Sequence, residues 1–181
     1  MSNPHLIVIA GPPACGKTTR ARLLASALRL PLLCKDTIKE VLFEQLGTPD
    51  RAGSQRLGYA CVIILYALAR DILGAGASVI LESVFTHPDT PGELQSLIDQ
   101  TGARLTVVYC FASPEVLCRR FNARALSDRH LGHQDPATQT AQGIVDGGWL
   151  YRPDYPGQVI EVDTSGDEAV SIEDILAQLG P

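Results

Sequence analysis

The octapeptide Gly11-Pro12-Pro13-Ala14-Cys15-Gly16-Lys17-Thr18 constrains this chain more than any other stretch. It fits the spacing GxxxxGK[ST], in which glycines let a loop turn tightly and present successive backbone N–H groups to one point. Leu6–Ala10 before it is a short apolar run that reads as a buried strand. Thr19–Leu28 after it carries Ala21, Leu24, Ala25 and Leu28 at helical spacing on one face. Strand, glycine-rich turn and helix start, in that order, form an anion cradle at the positive end of a helix. The pattern predicts a nucleoside triphosphate held by Gly11, Pro12, Pro13, Ala14, Cys15, Gly16, Lys17, Thr18 and Thr19. Lys17 would reach the β- and γ-phosphates, and the Thr18 hydroxyl would hold Mg²⁺.

The remaining apolar runs set the fold class. Residues 31–34, 77–82, 105–111 and 159–163 read as four more strands. Helical periodicity separates them: Ile38, Val41 and Leu42 are expected inward on a short helix, and Leu57, Cys61, Ile64, Leu65, Leu68 and Ile72 on a long one. Residues 47–54 read as a turn-rich connection, 89–98 as a short helix, and Ser113-Pro114-Glu115 as a helix start with a capping serine and proline at the first position. A helix over 137–145 follows, then a capping box at Ser165–Glu168 and a final helix marked by Ile172, Ile175, Leu176 and Leu179. Strands alternating with helices imply an α/β fold, a parallel sheet covered on both faces. A length of 181 residues suits one domain over 1–181, with flaps near Arg51 and Arg129 and a lid over about 122–140.

Charge and cysteine usage narrow the partners. A formal net charge of −5 argues against a broad nucleic-acid surface without excluding a local basic groove. No uninterrupted apolar run approaches the ~18 residues of a membrane span, and no secretory signal pattern opens the chain. Cys15, Cys34, Cys61, Cys110 and Cys118 form no CxxC pair, so free thiols in a reducing cytoplasm are expected and zinc is not. Lysine occurs only at 17, 35 and 39, which places the lysines near bound phosphate.

In a parallel sheet the ligand sits beyond the carboxyl ends of the strands. Asp36, directly after an apolar run, is placed to take the proton of an attacking hydroxyl, or it caps the helix that follows. Glu82 ends a Val-Ile-Leu run like the apolar half of a Walker B strand, where an acid touches Mg²⁺ through water or orients substrate; Ser83 follows it into the pocket. Arg120 and Arg124 stand four apart on one helix face, and Arg129 follows. A like-charged pair in that register makes sense when a triphosphate approaches, because arginine's planar fork matches phosphoryl oxygens. Lys39 and Arg56 are further candidates for the acceptor side, while His130 and His133 lack a third ligand for a metal.

With these residues in view, the chain resembles the small P-loop kinases of the zeta-toxin, polynucleotide 5′-kinase and chloramphenicol phosphotransferase type, an AAA-type group of small ATP-dependent kinases. The resemblance rests on Gly11–Thr18, on Lys35-Asp36-Thr37-Ile38-Lys39, on Arg120, Arg124, Arg129 and Gly132-His133, and on Val162-Asp163-Thr164-Ser165. It implies a three-layer P-loop NTPase sandwich with strand order 2-3-1-4-5, Asp36 as general base, lid arginines on the transferring phosphates, and Asp163, Thr164 and Ser165 near the adenine. Lys39 stands where many such kinases carry arginine, a point charge in place of a fork. The expected activity is ATP- and Mg²⁺-dependent phosphoryl transfer to a small-molecule hydroxyl, by a monomer or homodimer. A nucleic-acid 5′-hydroxyl kinase and a nucleotide-binding switch without transfer are the alternatives.

Overall fold

Along β1 (His5–Ala10), Leu6, Val8 and Ala10 point into one core and Ile7 and Ile9 into another, because successive strand residues face opposite sides. Both faces are buried, so the strand reads as continuously apolar. In the computed structural model, which describes residues 3–47, 50–125, 138–166 and 170–180, four strands join it. These are β2 (Leu32–Cys34), β3 (Val79–Glu82), β4 (Arg104–Phe111) and β5 (Gln158–Asp163). Their order is β2-β3-β1-β4-β5 with every neighbouring pair parallel, as expected.

The helices are α1 (Lys17–Leu28), α2 (Lys35–Leu46), α3 (Arg51–Gly74), α4 (Thr90–Thr101), α5 (Pro114–Ala125), α6 (Ala141–Asp146) and α7 (Ile172–Leu179). Leu65 and Leu73 of α3 and Leu94 and Leu97 of α4 cover one face of the sheet. Ala21 and Leu24 of α1, Leu117 of α5, Ile144 of α6 and Ile175 and Leu179 of α7 cover the other. A buried leucine or isoleucine contributes roughly 1.5–3 kcal/mol, so these two layers, not helix propensity, hold the helices in place. By length and composition α3 is apolar enough to cross a membrane, with a mean hydropathy of 1.6. In this fold its Leu65–Ala69–Leu73 stripe packs on the sheet.

Several expectations are corrected. Residues 50–54 are no flap: Asp50 caps α3, accepting from Gly53 N at 2.7 Å, and the helix begins at Arg51. Leu68, expected inward, is exposed because the buried stripe runs through Leu65, Ala69 and Leu73 with Tyr66 beside it. On α2, Val41 is exposed and the buried residue is Lys39, since that face looks into a polar cleft. The helix starts at Lys35 behind Cys34, so Asp36 lies in its first turn and does not cap it. The capping box of α7 is Ser171 with Asp174, while Asp167 and Glu168 of the expected box lie outside the described residues. Ser113 does serve α5, accepting from Val116 N at 3.4 Å. Arg129, His130 and His133 lie outside the described residues.

Candidate functional site

The loop between β1 and α1 is shaped by two glycines. Gly11 has φ of 135°, and a Cβ there would collide with the Cys110 carbonyl oxygen of β4. Gly16 sits at the N-cap of α1 in the left-handed region, φ 82°. Ala14 is also left-handed, φ 65°, a strained position of the kind that collects in ligand clamps. Gly11 N donates to Val84 O at 3.1 Å, tying this loop to the one after β3. Lys17 is buried, and its Nζ donates to Pro12 O at 2.8 Å, which holds the ammonium over the loop. Cys15 is buried beneath, where burial pushes its thiol up but the hydrogen bond with Cys110 and the charge of Lys17 outweigh it, leaving it lowered to about 7.

Across from the loop, β3 ends on Glu82, which pairs in register with Ile9 and Cys34. Thr18 Oγ1 donates to Glu82 Oε2 at 3.4 Å. Burial pushes the Glu82 carboxyl up, opposed by Lys17 and reinforced by the Asp36 charge. Burial first, and then the neighbouring Glu82 carboxylate, push the Cys34 thiol up to about 12. Asp36 is half-buried in the first turn of α2, where the helix dipole favours a carboxylate, and lies 3.5 Å from Lys35 Nζ. Lys39 Nζ is buried one turn on and donates to Ser54 Oγ of α3 at 2.8 Å.

These groups face a small cavity of about 140 Å³ that Lys17, Thr18, Asp36, Glu82, Ser83 and Arg124 all line. Lys35 and Lys39 line it too, so every lysine of the chain meets at one place. Beside it a cleft of about 520 Å³ is bounded by the loop, Thr19, Asp36, Arg120 and Arg124. Arg120 is anchored: Nη1 donates to Thr164 Oγ1 at 3.0 Å and Nη2 to Thr164 O at 2.7 Å. Thr164 Oγ1 lies 3.0 Å from Cys15 O, so α5, the end of β5 and the loop are locked together. Ser165 Oγ accepts from Ser113 N, and Asp163, whose carboxylate accepts from Ser165, is held below its usual range by those bonds. Asn122 and Gln139 exchange two hydrogen bonds of 2.8 and 2.9 Å, clamping the two ends of the segment between them.

Of the candidate residues described, Arg56 is exposed on α3 and lines neither cavity, and Asp163, Thr164 and Ser165 reach the site through Arg120 and Ser113 without lining either cavity. Sequence reasoning missed the groove that continues past Lys35, Lys39 and Ser83, about 540 Å³, with Ser54, Tyr59 and Phe85 in its wall. Nothing in a helical stripe or a post-strand loop marks such residues before the helices pack. Phe85 forms its floor with φ of 51°, held by Tyr155 Oη donating to its carbonyl at 2.8 Å and by Tyr66, 6.0 Å away ring to ring. Thr18 and Glu82 offer a hydroxyl and a carboxylate 3.4 Å apart beside the loop, a set suited to a hard cation that keeps most of its water and binds through phosphate.

Comparison with known proteins places these features in context. The AAA domain family matches residues 6–142. Uncharacterized proteins of Mycobacterium tuberculosis and Mycobacterium bovis are 30% identical over 128 residues, 67% of this chain; the chain spans 26% of their length. An adenylate kinase of Acidothermus cellulolyticus is 30% identical over 161 residues, covering 81% of this chain and 72% of that protein. A Chloroflexus aurantiacus structure, a kinase by provisional assignment, is 36% identical with TM-score 0.88, covering 98% of this chain and 97% of that one. The Mycobacterium tuberculosis APS kinase, solved with AMPPNP and APS, shares the fold at 18% identity and TM-score 0.56, covering 99% of this chain and 96% of that one.

Proposed function

The chain belongs to the AAA domain family, and from that membership we propose that this phosphotransferase moves the γ-phosphoryl group of ATP to a hydroxyl on a small molecule. The observation that carries the reading is the convergence of Lys17, Thr18, Asp36 and Glu82 on one cavity at the carboxyl ends of the strands. Gly11–Thr18 cradle the phosphates through backbone N–H groups, and Lys17 leaves Pro12 O to meet the β- and γ-oxygens. Mg²⁺ held by Thr18, with Glu82 reached directly or through water, would spread charge between the phosphates. Asp36, in the first turn of α2, accepts the hydroxyl proton or orients the hydroxyl.

Arg124, at the end of α5, borders both cavities and balances charge as the phosphoryl group moves. Arg120, fastened to Thr164, acts as a fixed fork beside the nucleotide, with Asp163, Thr164 and Ser165 bordering the base. Lys39 and Ser83 face the acceptor. The test is transfer from γ-labelled ATP to a panel of sugars, nucleosides, amino-alcohols and 5′-hydroxyl oligonucleotides. Asp36→Asn should lower transfer by about 10²–10⁴-fold with ATP affinity kept; transfer undiminished in that variant removes Asp36 as the base.

A further inference from the structure

The acceptor groove has a polarity. Its wall shares Lys35, Lys39 and Ser83 with the small cavity at the phosphate end, and shares Pro88, Asp89 and Glu93 with a third cavity of about 720 Å³ between α3 and α4. The three cavities therefore adjoin one another from the reacting groups to the outer helices, with Lys35 and Lys39 in the inner walls and Asp89 and Glu93 in the outer. Val62 and Phe85 give the groove an apolar middle. Cavities of these sizes suit a ligand larger than a simple two-carbon alcohol.

Two neighbouring groups at the outer end, Glu93 and Tyr66, meet no cation among the described residues. Glu93 is half-buried in the first turn of α4, and no cation pairs with it among the described residues. Tyr66, only 8% exposed, lines the outer cavity and its hydroxyl makes no hydrogen bond. Burial and the neighbouring Glu93 charge both push that phenol up, so it stays protonated. The Asp89 carboxylate faces His87 at 3.5 Å in an exposed pair. Arg70 also lines that wall, and its Nε donates to Gln100 Oε1 at 2.8 Å.

Resting on the kinase reading above, we propose that the acceptor is a hydroxyl compound that also carries a protonated amine, seated on Glu93 and Tyr66 while its hydroxyl reaches Asp36. The corner offers carboxylate oxygens and phenolic lone pairs, and an ammonium supplies donors and no acceptor. An anionic acceptor would meet the Glu93 carboxylate, which no cation pairs among the described residues, and a reversed amine would meet Lys35 and Lys39. The same charge gradient that selects the ligand also fixes which end faces the phosphate.

The experiment is calorimetric binding and labelled-ATP transfer with hydroxylated amines (kanamycin and propranolol among them), their N-acetylated forms, and neutral and anionic sugars. Saturable binding is expected for amines, at least tenfold weaker after N-acetylation and in Glu93→Gln, and several-fold weaker in Tyr66→Phe. Tyr66→Phe keeps the buried ring and should melt close to the parent, so a loss of amine binding in it is not a loss of fold. Binding confined to neutral or anionic compounds, no amine binding, or equal amine affinity in Glu93→Gln overturns the proposal. Transfer to a neutral sugar would overturn it while leaving the kinase reading standing. Glu93-dependent amine binding with no transfer to any bound amine would overturn the amine as the acceptor's mark.

Discussion

The two ends of the sheet are built on opposite terms. At the amino end, donors and acceptors are matched across strands. His5 N donates to Ser78 Oγ, the His5 ring lies 2.9 Å from both Thr106 Oγ1 and Arg104 Nη2, and Gln158 Nε2 donates to Gln178 O. At the carboxyl end, Lys17, Lys39 and Glu82 are buried charges, Ala14 and Phe85 hold left-handed backbone, and the Tyr66 hydroxyl is unsatisfied. The same strands carry both ends, so the difference is not one of fold. It shows where this protein gives up stability for chemistry, and where it recovers it.

The comparison can be broken hardest at Gly11. Gly11→Ala forces a Cβ into the Cys110 carbonyl, and β4 or the loop must move. A loss on the order of 4 kcal/mol or more is expected in urea unfolding; an unchanged midpoint would mean the loop end is far more plastic than its strain implies. Next is Glu82. Its folded carboxyl holds a proton that the unfolded chain releases near 4.5, so stability falls as pH rises from there through the raised folded value. Glu82→Gln should gain about 1 kcal/mol at neutral pH, gain nothing below the unfolded value, and lose Mg²⁺-dependent transfer. Loss of stability at pH 7 would show the carboxylate is a structural asset.

His5 should answer pH with the opposite sign. Burial and Arg104 lower it from 6.5 to about 4, and the Arg104 contact at Nδ1 selects the neutral ring that donates from Nε2. Its stabilisation is complete above 6.5 and is lost as pH falls through 6.5 towards 4. Half exposure and solvent screening hold the effect to about 1 kcal/mol, read as a melting-temperature drop that His5→Gln flattens. The smallest effect belongs to Arg56→Gln, within about 0.5 kcal/mol in stability and without change in KM for the acceptor. A raised KM would extend the groove to the outer face of α3.

Much of the carboxyl end was legible in the residue string because its signals are local. Gly11–Thr18 announce a backbone conformation, and an apolar run ending in Glu82 announces a strand with an acid at its tip. The small-kinase resemblance holds at the level of the AAA domain family, and the strand order it implied is observed. Boundaries were less legible. Asp36 moved from a cap into a first turn because Lys35 already has helical neighbours, and Asp50 turned a presumed connection into the start of α3. Val41 and Leu68 followed the periodicity but face outward, because polar clefts and neighbouring helices claim the inner faces.

What the sequence determined by itself is what short-range chemistry can encode: a phosphate loop, a run of buried parallel strands, and acids waiting at their ends. Only the tertiary structure decided that Lys35 and Lys39 join Lys17 at one cavity, that Arg120 is fastened to Thr164, and that Tyr66 and Glu93 line one cavity between α3 and α4. Those arrangements join residues from different helices whose relative positions are set by packing on the two faces of the sheet. No spacing within a single segment can carry that information.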